Sequence, residues 1–432
     1  MGIIHNNPKV NKQFNTLLIQ SYGTIVSSLI KYFGESSFEH VQNVTNNSFK
    51  KFKSEWSKNG IPENPENRIW NDIVNNTNKL FCKKIEYLHK KNKDTKLDIN
   101  NLKLSYPTSS EAIKNQIELI FCIIDSKIDN EVKKHLLLNV ICGFTYSKIA
   151  RIFNKSEKTI EEKLYKEKIK IINHEIYFKI QKRNFDIDKQ NLLIAEIKNI
   201  FDIGLSDKNV LSHEICLAAT TLGKIVVNFP KTQNQELIAL LSWMLFQLSR
   251  LDAMYDENGN TLNLKEQNRN LWNRNLINEG LEYLHKSASG NNISRLHLEA
   301  GVSAIHSISK NYISTDWNKI IALYDNYLAF NYSPIVELER AIAISKQNGP
   351  EKGIIAIKNI KDLEILNNDD LLYSTLGNLH LQLHKYEDAL LNFEQAINLS
   401  DQTEEKSFYS KKIKICQQRI DMSKRYQHSL SF

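Results

Sequence analysis

The segment GFTYSKIARIFNKSEKTIEEKL, Gly143 to Leu164, holds the residues best spaced to do chemistry, and that chemistry is the reading of a nucleic acid. Ile149, Ala150 and Phe153 give one apolar face to a short helix, which Asn154 and Lys155 interrupt. Ser156 then offers a hydroxyl that caps the next helix. This second helix buries Ile160 and Leu164 at i, i+4 and turns Lys158, Thr159, Glu161, Glu162, Lys163, Lys166 and Lys168 outward. A helix presented in this way fits a major groove. An ordinary helical hairpin with a solvated charged face has the same local pattern, so the segment alone leaves both readings open.

Groups suited to catalysis do not converge in the same way. The 12 histidines are scattered; His285, His297 and His306 fall at helical spacings, but no HExxH and no Cys/His ligand set accompanies them. His380 and His384 stand at i, i+4, yet His380 occupies a position that packs in its repeat, so no metal is expected there. GxSxG, a phosphate-binding loop and a GxGxxG turn are absent, and Asp369-Asp370 reads as a charged turn. Trp243, Met244 and Phe246 read as core. The expectation is a protein that is not an enzyme and needs no cofactor.

The elements that must position the reading segment follow from composition and periodicity. At 432 residues the chain should hold more than one domain, and 41% hydrophobic with 25% charged residues is a globular balance. With 14 Gly and 7 Pro and almost no strand-like alternation, the expected class is all-α. A net charge of +8 suits nucleic acid but equally a Lys-rich and Asn-rich coding bias. Cys82, Cys122, Cys142, Cys216 and Cys416 form no CxxC pair, so neither disulfides nor zinc are expected. No apolar signal core and no bilayer-length run is found, which points to a cytoplasmic protein without a membrane partner.

Along the chain, Phe14, Leu17, Leu18, Ile25, Leu29 and Phe33 mark an amphipathic helix stopped at Gly34. Phe38, Val41, Val44, Thr45, Ser48, Phe49, Phe52 and Trp56 form a second stripe, with Gln42, Asn43, Asn46 and Asn47 opposite. Pro62 and Pro65 turn the chain into a third helix through Ile69, Ile73, Leu80 and Leu88, with Trp70, Lys79, Lys83 and Lys84 around it. These predict a helical bundle over 1–91, a flexible linker over 92–110 and a helix-turn-helix module over 111–184. A helical extension over 185–310 follows, containing the apolar runs ICLAATTLGKIVVNF and LIALLSWMLFQLSR. Over 311–432, Leu376, Gly377, His380, Tyr386, Ala389, Phe393 and Ala396 stand where a tetratricopeptide hairpin nests its two helices, and a weaker unit precedes them from Trp317 to Ala341.

The order of bundle, polar linker, helix-turn-helix and repeats resembles the extracytoplasmic-function group of sigma factors that carries a tetratricopeptide-like extension, over about Phe14 to Ile413. The resemblance implies a sigma region 2 bundle, a region 4 helix-turn-helix, and two partners, core RNA polymerase and promoter DNA. By it, Gln42, Asn43, Asn46, Asn47, Phe49 and Lys50 would dock on the polymerase. Trp70, Lys79 and Lys83 would take part in capturing the −10 element, and Ser156, Lys158, Thr159, Lys163, Lys166 and Lys168 in reading the −35 element.

The departures from the family pattern carry their own implication. Gln42, Asn43 and Asn47 stand where acidic residues are usual, Arg68 where an aromatic is usual and Cys82 where a basic residue is usual. Glu161, Glu162 and Glu167 sit among the lysines of the reading helix, and carboxylates are repelled by phosphates. Either the contacts are replaced elsewhere or a separate DNA-bound partner, a repressor-type protein or an RNA-guided effector, supplies promoter choice. The competing class is a tetratricopeptide adaptor that engages neither polymerase nor DNA.

Overall fold

A computed structural model gives an all-α chain. It describes residues 8–34, 37–89, 104–173, 187–206, 211–232, 234–257, 259–289, 293–401 and 403–430. Among these, one isolated antiparallel bridge, Tyr255 to Thr261, is the sole β-type pairing. None of their helices is long and apolar enough to cross a membrane. The chain divides into two compact units, Met1–Asn263 with Gln267–Ser289, and Leu264–Glu266 with Gly290–Phe432.

The first unit begins with α1 (Pro8–Phe33), α2 (Phe38–Asn59) and α3 (Pro65–His89), then α4 (Ser109–Asp125) and α5 (Asn130–Leu136). A π-helical turn over Leu137–Ile141 leads to α6 (Tyr146–Ile152) and α7 (Glu157–Asn173). The unit is completed by α8 (Ile187–Ser206), α9 (Ser212–Val227), α10 (Gln235–Ser249) and α11 (Arg274–Ser287). Local chemistry accounts for many of the ends. Thr108 and Glu111 close α4 with a reciprocal capping box, Asp129 caps α5, and Pro65 opens α3, where a missing N–H costs nothing.

The first helix departs from its expected amphipathic form. Residues 21–30 of α1 are buried on every side, among them Tyr22, Ile25, Val26, Leu29 and Ile30, because α2, α3, α4, the π turn and α9 all pack against it. Its polar positions tolerate this because their hydroxyls find hydrogen-bond partners within α1 or on the helices that cover it. Ser21 Oγ donates to the Leu17 carbonyl at 2.6 Å, and Ser28 Oγ accepts from Asn115 Nδ2 at 3.1 Å. The described parts of the expected bundle, linker and helix-turn-helix module therefore belong to one packed unit built around α1. Residues 92–103 of the expected linker and 174–184 of the expected helix-turn-helix module lie outside the described residues. Where the linker is described it is in contact, since the Leu104 carbonyl accepts from Trp70 Nε1 at 2.9 Å and Tyr106 meets the Trp70 ring edge-on at 5.5 Å.

The second unit holds α12 (Arg295–Ile308), α13 (Trp317–Leu328), α14 (Pro334–Asn348), α15 (Pro350–Lys358), α16 (Asp370–Gln382), α17 (Tyr386–Leu399) and α18 (Thr403–Leu430). Its division from the first unit falls at 290, so α12 belongs with the repeats and not with the extension expected over 185–310. Leu298 of α12 shares a core with Ile320, Tyr324, Val336 and Ala343, which explains that allegiance. The α16–α17 hairpin nests as its spacing requires. Ala389, Phe393 and Ala396 are fully buried, and a Cβ on Gly377 would meet the Phe393 ring at 2.9 Å.

Candidate nucleic-acid interface

The α6–α7 hairpin forms where the sequence put it. Thr145 accepts from the Lys148 N–H at 3.3 Å and caps α6. Asn154 takes a left-handed backbone at φ 50°, which asparagine tolerates better than most side chains, and this turns the chain. Ser156 Oγ accepts from the Thr159 N–H at 3.0 Å and bonds its hydroxyl at 2.7 Å, capping α7. Ile149, Ile160 and Leu164 are fully buried and Ala150 nearly so, fixing the angle between the two helices.

Ser156, Lys158, Thr159, Lys163 and Lys166 are all exposed, so the structure brings these five expected DNA contacts together on one helical surface. Glu157, Glu161 and Glu162 share that surface, and Lys158 stands 3.9 Å from Glu162. Lys170 is exposed and pairs with Glu167 at 2.8 Å. The outward face is thus mixed in sign, with exposed lysines interleaved by carboxylates that a phosphate must avoid.

Lys168 corrects the expectation. It is 3% exposed, turned inward between α7 and α2, and so cannot reach a groove in this arrangement. Its Nζ donates to Gln42 Oε1 at 2.7 Å and to the Tyr146 hydroxyl at 3.2 Å, beneath the rings of Phe38 and Tyr146. Burial pushes its pKa down to about 7, partly offset by the charge of Glu39. Helical geometry explains the miss. Ile160, Leu164, Lys168 and Ile171 follow i, i+4, i+8 and i+11, so Lys168 continues the buried stripe.

Burial corrects three further expectations. Gln42, expected on the polymerase-facing side of α2, is buried; besides Lys168 it touches the Tyr22 hydroxyl at 3.4 Å and Asn139 Oδ1 at 3.5 Å. Phe49 is buried against Phe14 and Tyr22, which its own apolar stripe had indicated. Trp70 is buried under the described end of the linker, so its ring is unavailable as a stacking platform. Asn46 is half-buried and accepts from the Tyr22 hydroxyl at 2.9 Å. Asn43, Asn47, Lys50 and Lys79 are exposed, and the side chain of Lys83 lies outside the described residues.

Residues 195–288 match a family of unknown function (DUF6596). This segment covers most of α8 and the whole of α9 to α11, and side chains of α8 and α9 reach α6. An uncharacterised protein of Rhizobium meliloti (strain 1021) is 27% identical over 296 residues, 68% of this chain and 69% of that protein. No solved structure matches the chain.

The family segment contributes groups that sequence reasoning missed. Glu214 Oε2 accepts from Lys148 Nζ of α6 at 2.5 Å, and its Oε1 accepts from Asn15 Nδ2 of α1 at 2.6 Å. Lys134, Arg151, Asn199, Asp202 and Ser206 line an open concavity of about 610 Å³ between α5, α6 and α8. Its two cations flank the hairpin, and Asp202 opposes them. Lys134, Lys148 and Arg151 could have been noticed as cations within the helix-turn-helix module, whereas no local signal ties Glu214 to it. Beside the hairpin, His135 of α5 is fully buried against Phe153 with a ring distance of 4.2 Å, and burial lowers its pKa to about 4.

Proposed function

We propose that the chain is a sigma-type initiation factor that binds core RNA polymerase and offers α7 to promoter DNA, acting in the cytoplasm and without catalysis of its own. The observation carrying this reading is the capped, two-helix hairpin with Ser156, Lys158, Thr159, Lys163 and Lys166 exposed on its second helix. The exposed Asn43, Asn47 and Lys50 of α2 supply the polymerase-facing side, and the exposed Lys79 of α3 serves as a strand-contacting cation. The carboxylates on α7 and the burial of Trp70 and Lys168 support weak reading of DNA by this chain alone. Promoter choice then falls to a DNA-bound recruiting protein or an RNA-guided effector.

The second reading, an adaptor without polymerase, is favoured by the same burial, since Gln42, Trp70 and Lys168 already serve internal contacts. Purified full-length chain mixed with core polymerase separates the two. Co-elution at moderate salt supports the sigma reading, and its absence with capture of another client supports the adaptor. Efficient opening of a defined promoter by chain and core alone would remove the need for a recruiting partner.

A further inference from the structure

The seam between the first helices and the reading hairpin is closed by one carboxylate of the family segment. Glu214 lies in the first turn of α9, its side chain 13% exposed, and both of its oxygens are engaged, one by α1 and one by α6. Three helices distant in sequence meet at that group. Behind it Ile215, Ala218, Ala219 and Leu222 are fully buried, and α9 packs on both α1 and α4. The small Ala218 lets the chain come close, with Cys142 Sγ 3.9 Å from its carbonyl. Lys189 at the start of α8 adds a bond of 3.0 Å to Asp125 at the end of α4.

We propose that the segment matching the family of unknown function is an internal clamp: through Glu214 it holds the reading hairpin α6–α7 at one fixed separation from α1 and α2. The two modules share one packed unit, and a half-buried carboxylate bonded to both, on a third helix packed against α1 and α4, narrows the separations that packing allows. The bonds are charge-assisted, so they are strong and directional, but each ends on a lysine or amide that water can solvate once the seam parts. The Lys168–Gln42 contact lies on the same seam and closes its far end. Breaking the Glu214 node leaves the hold on α7 to that contact, whose hydrogen-bond acceptors Gln42 and Tyr146 are neutral and whose nearby charge is Glu39, together with the Lys155–Glu131 pair and the packing on α5.

The test uses the full chain with spin labels on two exposed positions outside the node, Lys53→Cys on α2 and Glu162→Cys on α7. Cys82, whose side chain lies outside the described residues, is replaced by Ser in every chain tested, and the native Cys122, Cys142, Cys216 and Cys416 are buried. The unaltered node should give one narrow distance distribution. Glu214→Ala and Lys148→Met should each add a second, longer population, and Glu214→Gln, which keeps an acceptor, should fall between. A broad distribution in the parent chain, or a narrow one unchanged by both Glu214→Ala and Lys148→Met, overturns the clamp. Addition of core polymerase forms a separate arm that rests on the sigma reading. Failure of polymerase to co-elute with any of these chains defeats that reading while leaving the clamp intact, because the clamp is read in the free protein.

Discussion

Two helical hairpins in this chain solve opposite problems. The α16–α17 hairpin is built to nest, with Gly377 lying under Phe393 while Ala389 and Ala396 let the helices close, so apolar contact fixes the pair. The α6–α7 hairpin is built to present. Its apolar core is a thin stripe of Ile149, Ala150, Ile160 and Leu164, and its ties to the surrounding helices include the lysines Lys148 and Lys168. Nesting wants volume matched to volume, whereas presentation wants one face buried and the other free. Substitutions in the first hairpin should therefore act on packing, and those in the second on polar contacts.

The largest effect should come from the nested pair. Phe393→Ala is expected to cost about 3–5 kcal/mol, read as an earlier urea or thermal transition of the second unit. A loss under about 1 kcal/mol would mean that the hairpin is not held by that ring. Across the comparison, Lys168→Ala should cost about 1–3 kcal/mol by stranding the Gln42 oxygen. The paired change Lys168→Met with Gln42→Leu should recover part of that loss, because the stranded Gln42 oxygen is gone, while Asn139 Oδ1 and the Tyr146 hydroxyl each still lose a donor. If the double variant is no better than the single one, the polar seam is not what the lysine contributes.

Acidity sharpens the contrast further. Lys168 has its folded pKa depressed from 10.5 to about 7, so the unfolded chain binds more protons in between and stability gained there rises with pH. Glu39 on α2 opposes the shift, and the neighbouring Tyr146 and Tyr22 have raised pKa values, whose favourable contribution is lost only as pH passes about 10. His135, lowered to about 4, adds stability that is lost as pH falls below its ordinary 6.5. Melting of the first unit should therefore rise from pH 7 to about pH 9, above which the buried Cys142 thiol, whose pKa burial raises from 9, opposes it, and Lys168→Met with Gln42→Leu should flatten that rise. A smaller effect is expected at the helix start, where Ser156→Ala should cost about 1 kcal/mol through the lost cap. Smallest for stability are Lys163→Ala and Lys166→Ala, within roughly 0.5 kcal/mol. For DNA binding each should lower the salt slope by about 1. Slopes unchanged by both would place the nucleic acid elsewhere.

Legibility differed sharply between these regions. The turn at Asn154, the cap at Ser156 and the stripe through Ile160 and Leu164 were readable, because each depends on a residue's own backbone preference or on spacing within a few turns. The nested hairpin was readable for the same reason, its small and large residues alternating inside a single repeat. Lys168 was half readable. It lies on the buried side of its helix by spacing, but a lysine is ordinarily solvated, and only the neutral acceptors Gln42 and Tyr146, the first of them brought from another part of the chain, make its burial tolerable.

What the amino-acid order determined by itself was the all-α class, the position of most helices and the outward set Ser156, Lys158, Thr159, Lys163 and Lys166. Those follow from interactions within a helix or across one turn, whose range is a few residues. Only the tertiary structure decided that α1 would be buried on every side, that Trp70 and Gln42 would turn inward, and that Glu214 would join α1 to α6. Burial of a surface depends on which distant helix arrives to cover it, and no periodicity within either helix encodes that meeting.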